Sequence, residues 1–276
     1  MTLPSPRTTA GAAALARIVA APSSAVLAFD FDGTLAPVVP DPRDARAHPR
    51  AAPLLRALSP LVRSIAVVTG RPAERAVEYG GLDSVPGIVV LGQYGRERWE
   101  GGVLSAPDPS PGVQQARDAL PELLKDLEAP EGIWVEDKGQ ALAVHTRRTA
   151  DPEAALDLVG TPLAELASET GLLVEPGRLV IELRPGGADK GVALAGFVAE
   201  QGAESVLYTG DDLGDVAAFD AVERLRLGTV AGITVCSGSA EVRGLAERAD
   251  LVVDGPDGVV ELLAELAAAL DGGRPG

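Results

Sequence analysis

The apolar run Ala25-Val26-Leu27-Ala28-Phe29 stops on Asp30-Phe31-Asp32-Gly33-Thr34, so two carboxylates one residue apart hang off a segment that reads as a buried strand. Ligands bind at the carboxyl ends of strands in open α/β sheets. Period-two alternation turns Asp30 and Asp32 to one side and Phe31 to the other, and Gly33 allows a sharp turn straight afterwards. Alone, such a segment is an ordinary Asx-type turn. The same grammar recurs, however: Ser64-Ile65-Ala66-Val67-Val68 stops on Thr69-Gly70-Arg71, and Ser205-Val206-Leu207-Tyr208 stops on Thr209-Gly210-Asp211-Asp212, with Asp215 one helical turn on. A fourth piece, Asp189-Lys190-Gly191, opens an amphipathic helix over 192–201.

The pattern between these segments predicts helices at 8–21, 50–61 and 72–79 alternating with strands that end at Phe29, Val68 and Leu91, the order that builds a parallel sheet with right-handed crossovers. Pro107-Asp-Pro-Ser-Pro111-Gly112 interrupts it, and Pro185-Gly186-Gly187 punctuates the chain again. Pro and Gly at that density mark boundaries. Residues 108–185 therefore read as an inserted α+β cap domain: helix 112–127, strands 132–138 and 140–146, helix 152–170, strands 172–175 and 179–183. Residues 1–107 and 186–276 form a Rossmann-like, doubly wound α/β core, which resumes with helices at 189–201, 213–225, 240–247 and 258–270 and strands at 205–208, 228–235 and 251–253. Two linkers between two lobes predict a hinged lid able to exclude water from the acidic segment.

Composition excludes some classes. A formal charge of −16 argues against nucleic acid or an anionic membrane as partner. No apolar stretch approaches the ~20 residues of a membrane span, and the N-terminal segment lacks a signal-peptide core, so a cytoplasmic protein is expected. Cys236 is the single cysteine, which rules out an intrachain disulfide and reads as a small buried residue. Lys125, Lys138 and Lys190 are the only lysines among 24 basic residues, and Lys138 and Lys190 fall in motif-bearing segments.

Asp30, Asp32 and Asp211, with Asp212 and Asp215 nearby, cannot all ionise at adjacent strand ends without a compensating cation. Hard oxygen ligands suit Mg²⁺, and with no His or Cys in these segments zinc is disfavoured. A carboxylate beside Mg²⁺ and a phosphate ester is a nucleophile, the role expected of Asp30. Asp32 fits the acid that protonates the leaving oxygen and then the base that activates water. Thr69 and Lys190 supply donors for the phosphoryl oxygens, and Asp212 is placed to orient Lys190 or a bound water.

These residues resemble the haloacid-dehalogenase-like phosphatases, whose four motifs look like Asp30-Phe-Asp-Gly-Thr-Leu35, Thr69, Lys190 and Gly210-Asp-Asp-Leu-Gly-Asp215. The resemblance implies a Rossmann-like core, Mg²⁺ held by the Asp30 side chain, the Asp32 main-chain carbonyl and the Asp211 side chain, and phosphoesterase rather than dehalogenase chemistry. The insertion is similar to the cap of the sugar-phosphate branch. Within it, Val135-Glu136-Asp137-Lys138-Gly139 through His145-Thr-Arg147, together with Gly177-Arg178-Leu-Val-Ile-Glu182-Leu-Arg-Pro185 and Gly92-Gln-Tyr94-Gly95-Arg-Glu97, resembles the trehalose-6-phosphate phosphatase family over about residues 26–254. That resemblance implies hydrolysis of trehalose 6-phosphate, the last step of trehalose biosynthesis, alongside a separate trehalose-6-phosphate synthase. It carries substrate contacts to Asp30, Asp32, Thr69, Gly70, Arg71, Glu136, Lys138, Arg178 and Glu182, with His145 and Arg147 as weaker candidates. Trp134, Glu136 and Lys138 alternate onto one strand face that Glu182 can share; a solvated face of cross-strand ion pairs is the plainer alternative. Tyr94, Gly214 and Val216 depart from the family pattern, where His, Thr and an acid are common.

Other readings stay open within the class: a phosphatase for sucrose phosphate, glucosylglycerol phosphate or mannosylglycerate phosphate, or a phosphomutase with a similar cap. A signalling receiver also joins an Asp phosphoacceptor to an acidic pair, a Thr and a Lys. Receivers are about half this length, lack a lid, and carry their acidic pair before the phosphoacceptor. A catalytically silent binding protein would hold these charges at one sheet edge at a cost.

Overall fold

The computed structural model describes residues 3–39, 41–238 and 243–272. In chain order the first elements are α1 (Thr9–Ala20), β1 (Ala25–Phe29), α2 (Ala51–Leu58), β2 (Ser64–Val68), α3 (Ala73–Gly80), β3 (Val89–Gly92), β4 (Glu97–Glu100) and β5 (Val103–Ser105). Then follow α4 (Pro111–Asp126), β6 (Trp134–Asp137), β7 (Leu142–His145), α5 (Pro152–Thr170), β8 (Leu172–Gly177) and β9 (Val180–Pro185). The chain ends with α6 (Lys190–Glu200), β10 (Ser205–Gly210), α7 (Val216–Arg226), β11 (Ala231–Ser237), α8 (Arg243–Arg248), β12 (Leu251–Val253) and α9 (Gly255–Asp271). The helix expected at 240–247 lies partly outside the described residues.

Two compact units divide the chain: Met1–Ser105 with Asp189–Gly276, and Ala106–Ala188. Among the described residues of the first, eight strands form one sheet in the order β12-β11-β10-β1-β2-β3-β4-β5. The six strands from β12 to β3 run parallel, while β4 and β5 extend the edge antiparallel. The expected doubly wound α/β core with its parallel sheet is present, and β4 and β5 are an addition at its edge. Gly101 and Gly102, both at positive φ, turn β4 back into β5, a Gly-Gly hairpin of the kind that suits the strand twist.

Both faces of the central strands are covered, which is why β1 is buried at every position. Leu27, Phe29, Ile65, Val67, Leu207 and Ile233 pack on one side with Leu15, Ile18, Leu55, Leu58, Val77 and Leu263 from α1, α2, α3 and α9. Val26, Ala28, Val68, Val206 and Tyr208 pack on the other with Leu194, Phe197, Phe219, Val222 and Leu245 from α6, α7 and α8. β2 and β3 are added on one side of β1 and β10, β11 and β12 on the other, so the order reverses there, and the loops after β1 and β10 part around a natural crevice.

The second unit is an antiparallel sheet, β6-β7-β9-β8. Leu142, Val144, Ile181 and Leu183 project from one of its faces onto Val113, Leu120, Val159 and Leu163 of α4 and α5. Ser110 and Asp151 cap those helices by accepting from the Val113 and Ala154 amides at 3.3 and 3.1 Å, and a proline stands at the start of each, where its missing N–H costs nothing. The unit thus has a core of its own.

Candidate active site

Phe29 at the end of β1 is level with Thr209 on β10 and Val67 on β2, so the three polar segments leave the sheet at one rim. Asp30 is buried, 4% exposed. Its carboxylate lies 2.9 Å from the Lys190 ammonium, which also donates to Asp215 at 2.8 Å. Asp215 is fully buried. Its Oδ1 accepts as well from the Tyr208 hydroxyl at 2.6 Å, and its Oδ2 from the Asp211 and Asp212 amides at 2.9 and 3.2 Å. Asp215 accepts the hydrogen bond from Lys190, while the Asp212 carboxylate accepts from the Gly214 amide and starts the turn into α7. Tyr208 was not foreseen, because a tyrosine inside an apolar strand carries no sign of the acid it will meet.

Carboxylate oxygens of Asp30, Asp211, Asp212 and Asp215 come within 4.8 Å of one another. Burial, only partly offset by Lys190 and reinforced by the other three acids, pushes Asp30 well above the usual carboxylate range. Burial, then Asp215 and Asp212, raises Asp211 to about 8. Asp212 is raised by burial against the pull of Lys190. For Lys190, burial works against its charge, but Asp215 and Asp30 outweigh that and hold it well above the ordinary lysine value. One ammonium does not balance four carboxylates. Both Asp215 oxygens are engaged, whereas Asp211 Oδ1 is buried with no hydrogen-bond partner among the described residues, so Asp30 and Asp211 fit a hard, oxygen-seeking cation.

The two acids of the first motif part company. Asp32 lies outside the four-carboxylate group and is 40% exposed at its side chain, gripped by Arg71 through two bonds of 2.6 Å. Strand alternation does not carry beyond Phe29, because the chain there folds into a tight turn in which the Leu35 and Ala36 amides both donate to the Phe31 carbonyl. Gly33 sits at φ 73°, and a Cβ there would be 1.9 Å from Asp211 Oδ2. The Gly33 carbonyl accepts from Ser237 Oγ at 2.7 Å, a clamp from β11 that sequence spacing does not reveal. Thr69 is buried, its hydroxyl oxygen accepting from the Arg71 amide at 3.2 Å, which leaves the hydroxyl proton to donate elsewhere. Gln93 and Tyr94, both at positive φ, brace this turn by donating from their amides to the Arg71 and Thr69 carbonyls at 2.9 and 3.0 Å. Gly70 lies against the Tyr94 ring, which a Cβ would approach to 2.9 Å. Cys236 is buried, its thiol pushed up to about 11 by burial and then by Asp211 and Asp215.

In the second unit, Glu136, Ala143, Glu182 and Glu175 stand side by side across β6, β7, β9 and β8, on the face opposite the helices. Two strand spacings put the Glu136 and Glu182 backbones about 10 Å apart, with a small residue between them. Lys138, just past β6, pairs with Glu182. Glu182 is buried, and its Oε1 has no hydrogen-bond partner among the described residues. His145 Nε2 lies 3.0 Å from Glu136. Arg178 occupies the turn between β8 and β9, apart from the strand positions of these acids, where its carbonyl accepts from Arg147 at 3.2 Å.

Residues 28–252 match the model of the trehalose-phosphatase family. The chain belongs to this family. A trehalose-phosphate phosphatase of Mycobacterium avium (strain 104) is 34% identical over 263 residues, covering 89% of the chain. The chain spans 63% of that relative's length. Among solved structures, the C-terminal domain of the trehalose-6-phosphate phosphatase of C. albicans aligns with a TM-score of 0.71 at 22% identity, over 97% of this chain and 99% of that one. A trehalose-6-phosphate phosphatase related protein aligns with a TM-score of 0.72 at 22% identity, over 90% and 100%. At these identities the likeness to the solved structures shows the fold alone of this trehalose-phosphatase family member. No helix among the described residues is long and apolar enough to cross a membrane.

Proposed function

We propose that the chain is a Mg²⁺-dependent phosphatase that hydrolyses trehalose 6-phosphate to trehalose and phosphate. The observation that carries this reading is the meeting of Asp30, Lys190 and Asp211 at one sheet rim in a chain of the trehalose-phosphatase family. An Asp30 oxygen attacks phosphorus, and the bond from phosphorus to the sugar's 6-oxygen breaks. Asp32 gives its proton to that leaving oxygen, then takes one from a water that attacks the aspartyl phosphate, and the bond between phosphorus and Asp30 breaks to free phosphate. Thr69 and Lys190 donate to the phosphoryl oxygens, the Gly70 and Arg71 segment borders them, and Arg71 pairs with the ionised Asp32 left once its proton has gone to the leaving oxygen. The Asp30 and Asp211 carboxylates and the Asp32 main-chain carbonyl would hold Mg²⁺, which would supply charge neutralisation at the phosphoryl group. Asp215, with Asp212 beside it, keeps Lys190 and the Asp211 loop in register.

Sugar hydroxyls are read by Glu136, Lys138 and Glu182 of the inserted unit, which serves as the specificity cap, with Arg178 contributing from its turn. A separate trehalose-6-phosphate synthase supplies the substrate in the cytoplasm, and this step completes trehalose synthesis. Release of free phosphate from a panel of trehalose 6-phosphate, sucrose phosphate, glucosylglycerol phosphate, mannosylglycerate phosphate and glucose 6-phosphate, with Mg²⁺ or chelator, tests the reading. Trehalose 6-phosphate turned over no faster than glucose 6-phosphate refutes the substrate; full activity in chelator refutes the metal. Asp30→Asn should lose turnover by several orders of magnitude with the melting curve retained, and Asp32→Asn about 10²–10⁴-fold.

A further inference from the structure

The polar face of the smaller sheet carries an aromatic group that the reaction above leaves unused. Trp134 on β6 stands opposite His145 on β7, and their rings stack 4.1 Å apart with 5° between planes. The Arg148 guanidinium lies 4.1 Å from the centre of the Trp134 ring. His145 is 8% exposed, so the imidazole has little freedom to turn. Its Nε2 meets Glu136 at 3.0 Å, and since a carboxylate only accepts, the imidazole donates. Glu136 is far more open, 43% exposed at its side chain. A clamped, buried donor is thus bonded to an accessible acceptor, in line across Ala143 with Glu182.

A glutamate carries several rotatable bonds, and immobilising such a side chain when a ligand arrives weakens binding. A carboxylate has about four acceptor positions, so the hydrogen bond from His145 helps orient it and leaves acceptor positions for a ligand. We propose that His145, itself fixed by the Trp134 stack, is a positioning residue that holds the Glu136 carboxylate in place for a hydroxyl of the substrate's sugar. This rests on the reading of Glu136 as a sugar contact in the proposed function. His145 acts through Glu136, so its effect falls on sugar recognition and not on the chemical step.

His145→Phe tests this most directly, because it keeps an aromatic ring to stack on Trp134 and removes only the donor. Steady-state kinetics on trehalose 6-phosphate should give a KM raised roughly three- to tenfold, the cost of one immobilised side chain, with kcat held within about twofold. The kinetics on p-nitrophenyl phosphate, which has no sugar, should not change. His145→Gln, which restores an N–H donor without the ring, should recover part of the KM. An unchanged KM for trehalose 6-phosphate in His145→Phe overturns the inference, as does an equal loss on both substrates, the mark of a purely structural role. Should His145→Phe fail to fold, His145→Ala, which also lacks the donor, carries the comparison: a KM raised for trehalose 6-phosphate alone supports positioning, and an unchanged KM or an equal loss on the two phosphates refutes it. Wild-type kinetics separate the two failures, since absent turnover of trehalose 6-phosphate removes the proposed reaction itself, whereas normal wild-type turnover with a silent His145→Phe removes the role of His145 alone.

Discussion

Asp211 has the most directly measurable electrostatics in the site. With its carboxyl raised to about 8 by burial, then by Asp215 and Asp212, against about 4 in an unfolded chain, the cation-free native state binds a proton that the unfolded state has lost. Stability carried by that protonated form is complete below about pH 4 and is lost as pH rises through about 8. Asp30 and Asp212, also raised, act in the same direction. Melting temperature in chelator should therefore fall from pH 5 to pH 8, and Asp211→Asn, which keeps the shape without the charge, should flatten the slope. Added Mg²⁺ should flatten it too, by making the ionised form the favoured one. A chelated protein whose stability rises across this interval contradicts the crowding of acids on which the cation assignment rests.

At the scale of the element, α6 brings the cation of the site into place. Asp189 caps it by accepting from the Val192 amide at 2.8 Å, and Lys190 follows as the first helical residue. Close packing on α7 locks the same turn, since a Cβ on Gly191 would be 2.1 Å from the Ala217 carbonyl oxygen. Asp189→Ala should cost about 1 kcal/mol and lower kcat by letting Lys190 drift from Asp30, while Asp189→Ser should preserve both; urea melts and kinetics on the pair distinguish a cap from a mere surface acid. This helix was legible in the sequence because a capping acid precedes an apolar periodicity, and β1, α5 and β12 begin and end where their patterns do. The edge strands β4 and β5 were not, since Val103, Leu104 and Ser105 are all exposed and leave no buried face for an alternation to follow. The helix α7 starts at Val216 and not at 213, because Asp212 and Asp215 cap each other reciprocally around a short 3₁₀ turn. In the site, the residues on strand ends could be read from their order, but Tyr208, Ser237 and the Arg71 grip on Asp32 depend on which strands lie side by side, and no local pattern encodes that.

Across the whole molecule, the two units have separate hydrophobic cores, and the carboxylate cluster belongs wholly to the first. A ligand that binds one native unit stabilises that unit by mass action, about 2.7 kcal/mol at a hundredfold excess over Kd. For a unit of roughly 200 residues that corresponds to a rise in melting temperature of about 5–10 °C. Scanning calorimetry of the full chain should therefore resolve into two transitions, with Mg²⁺ raising the larger and leaving the smaller where it was. Trehalose added without Mg²⁺ should act on the smaller transition, because the proposed sugar contacts Glu136, Lys138 and Glu182 all lie within Ala106–Ala188. If instead a single transition moves as a whole with Mg²⁺ alone, the units unfold cooperatively and the division of labour between a metal-binding unit and a sugar-reading unit loses its thermodynamic basis. Two transitions with the response to each ligand crossed over would be more damaging, since the sugar contacts would then have to be sought on the rim of the parallel sheet.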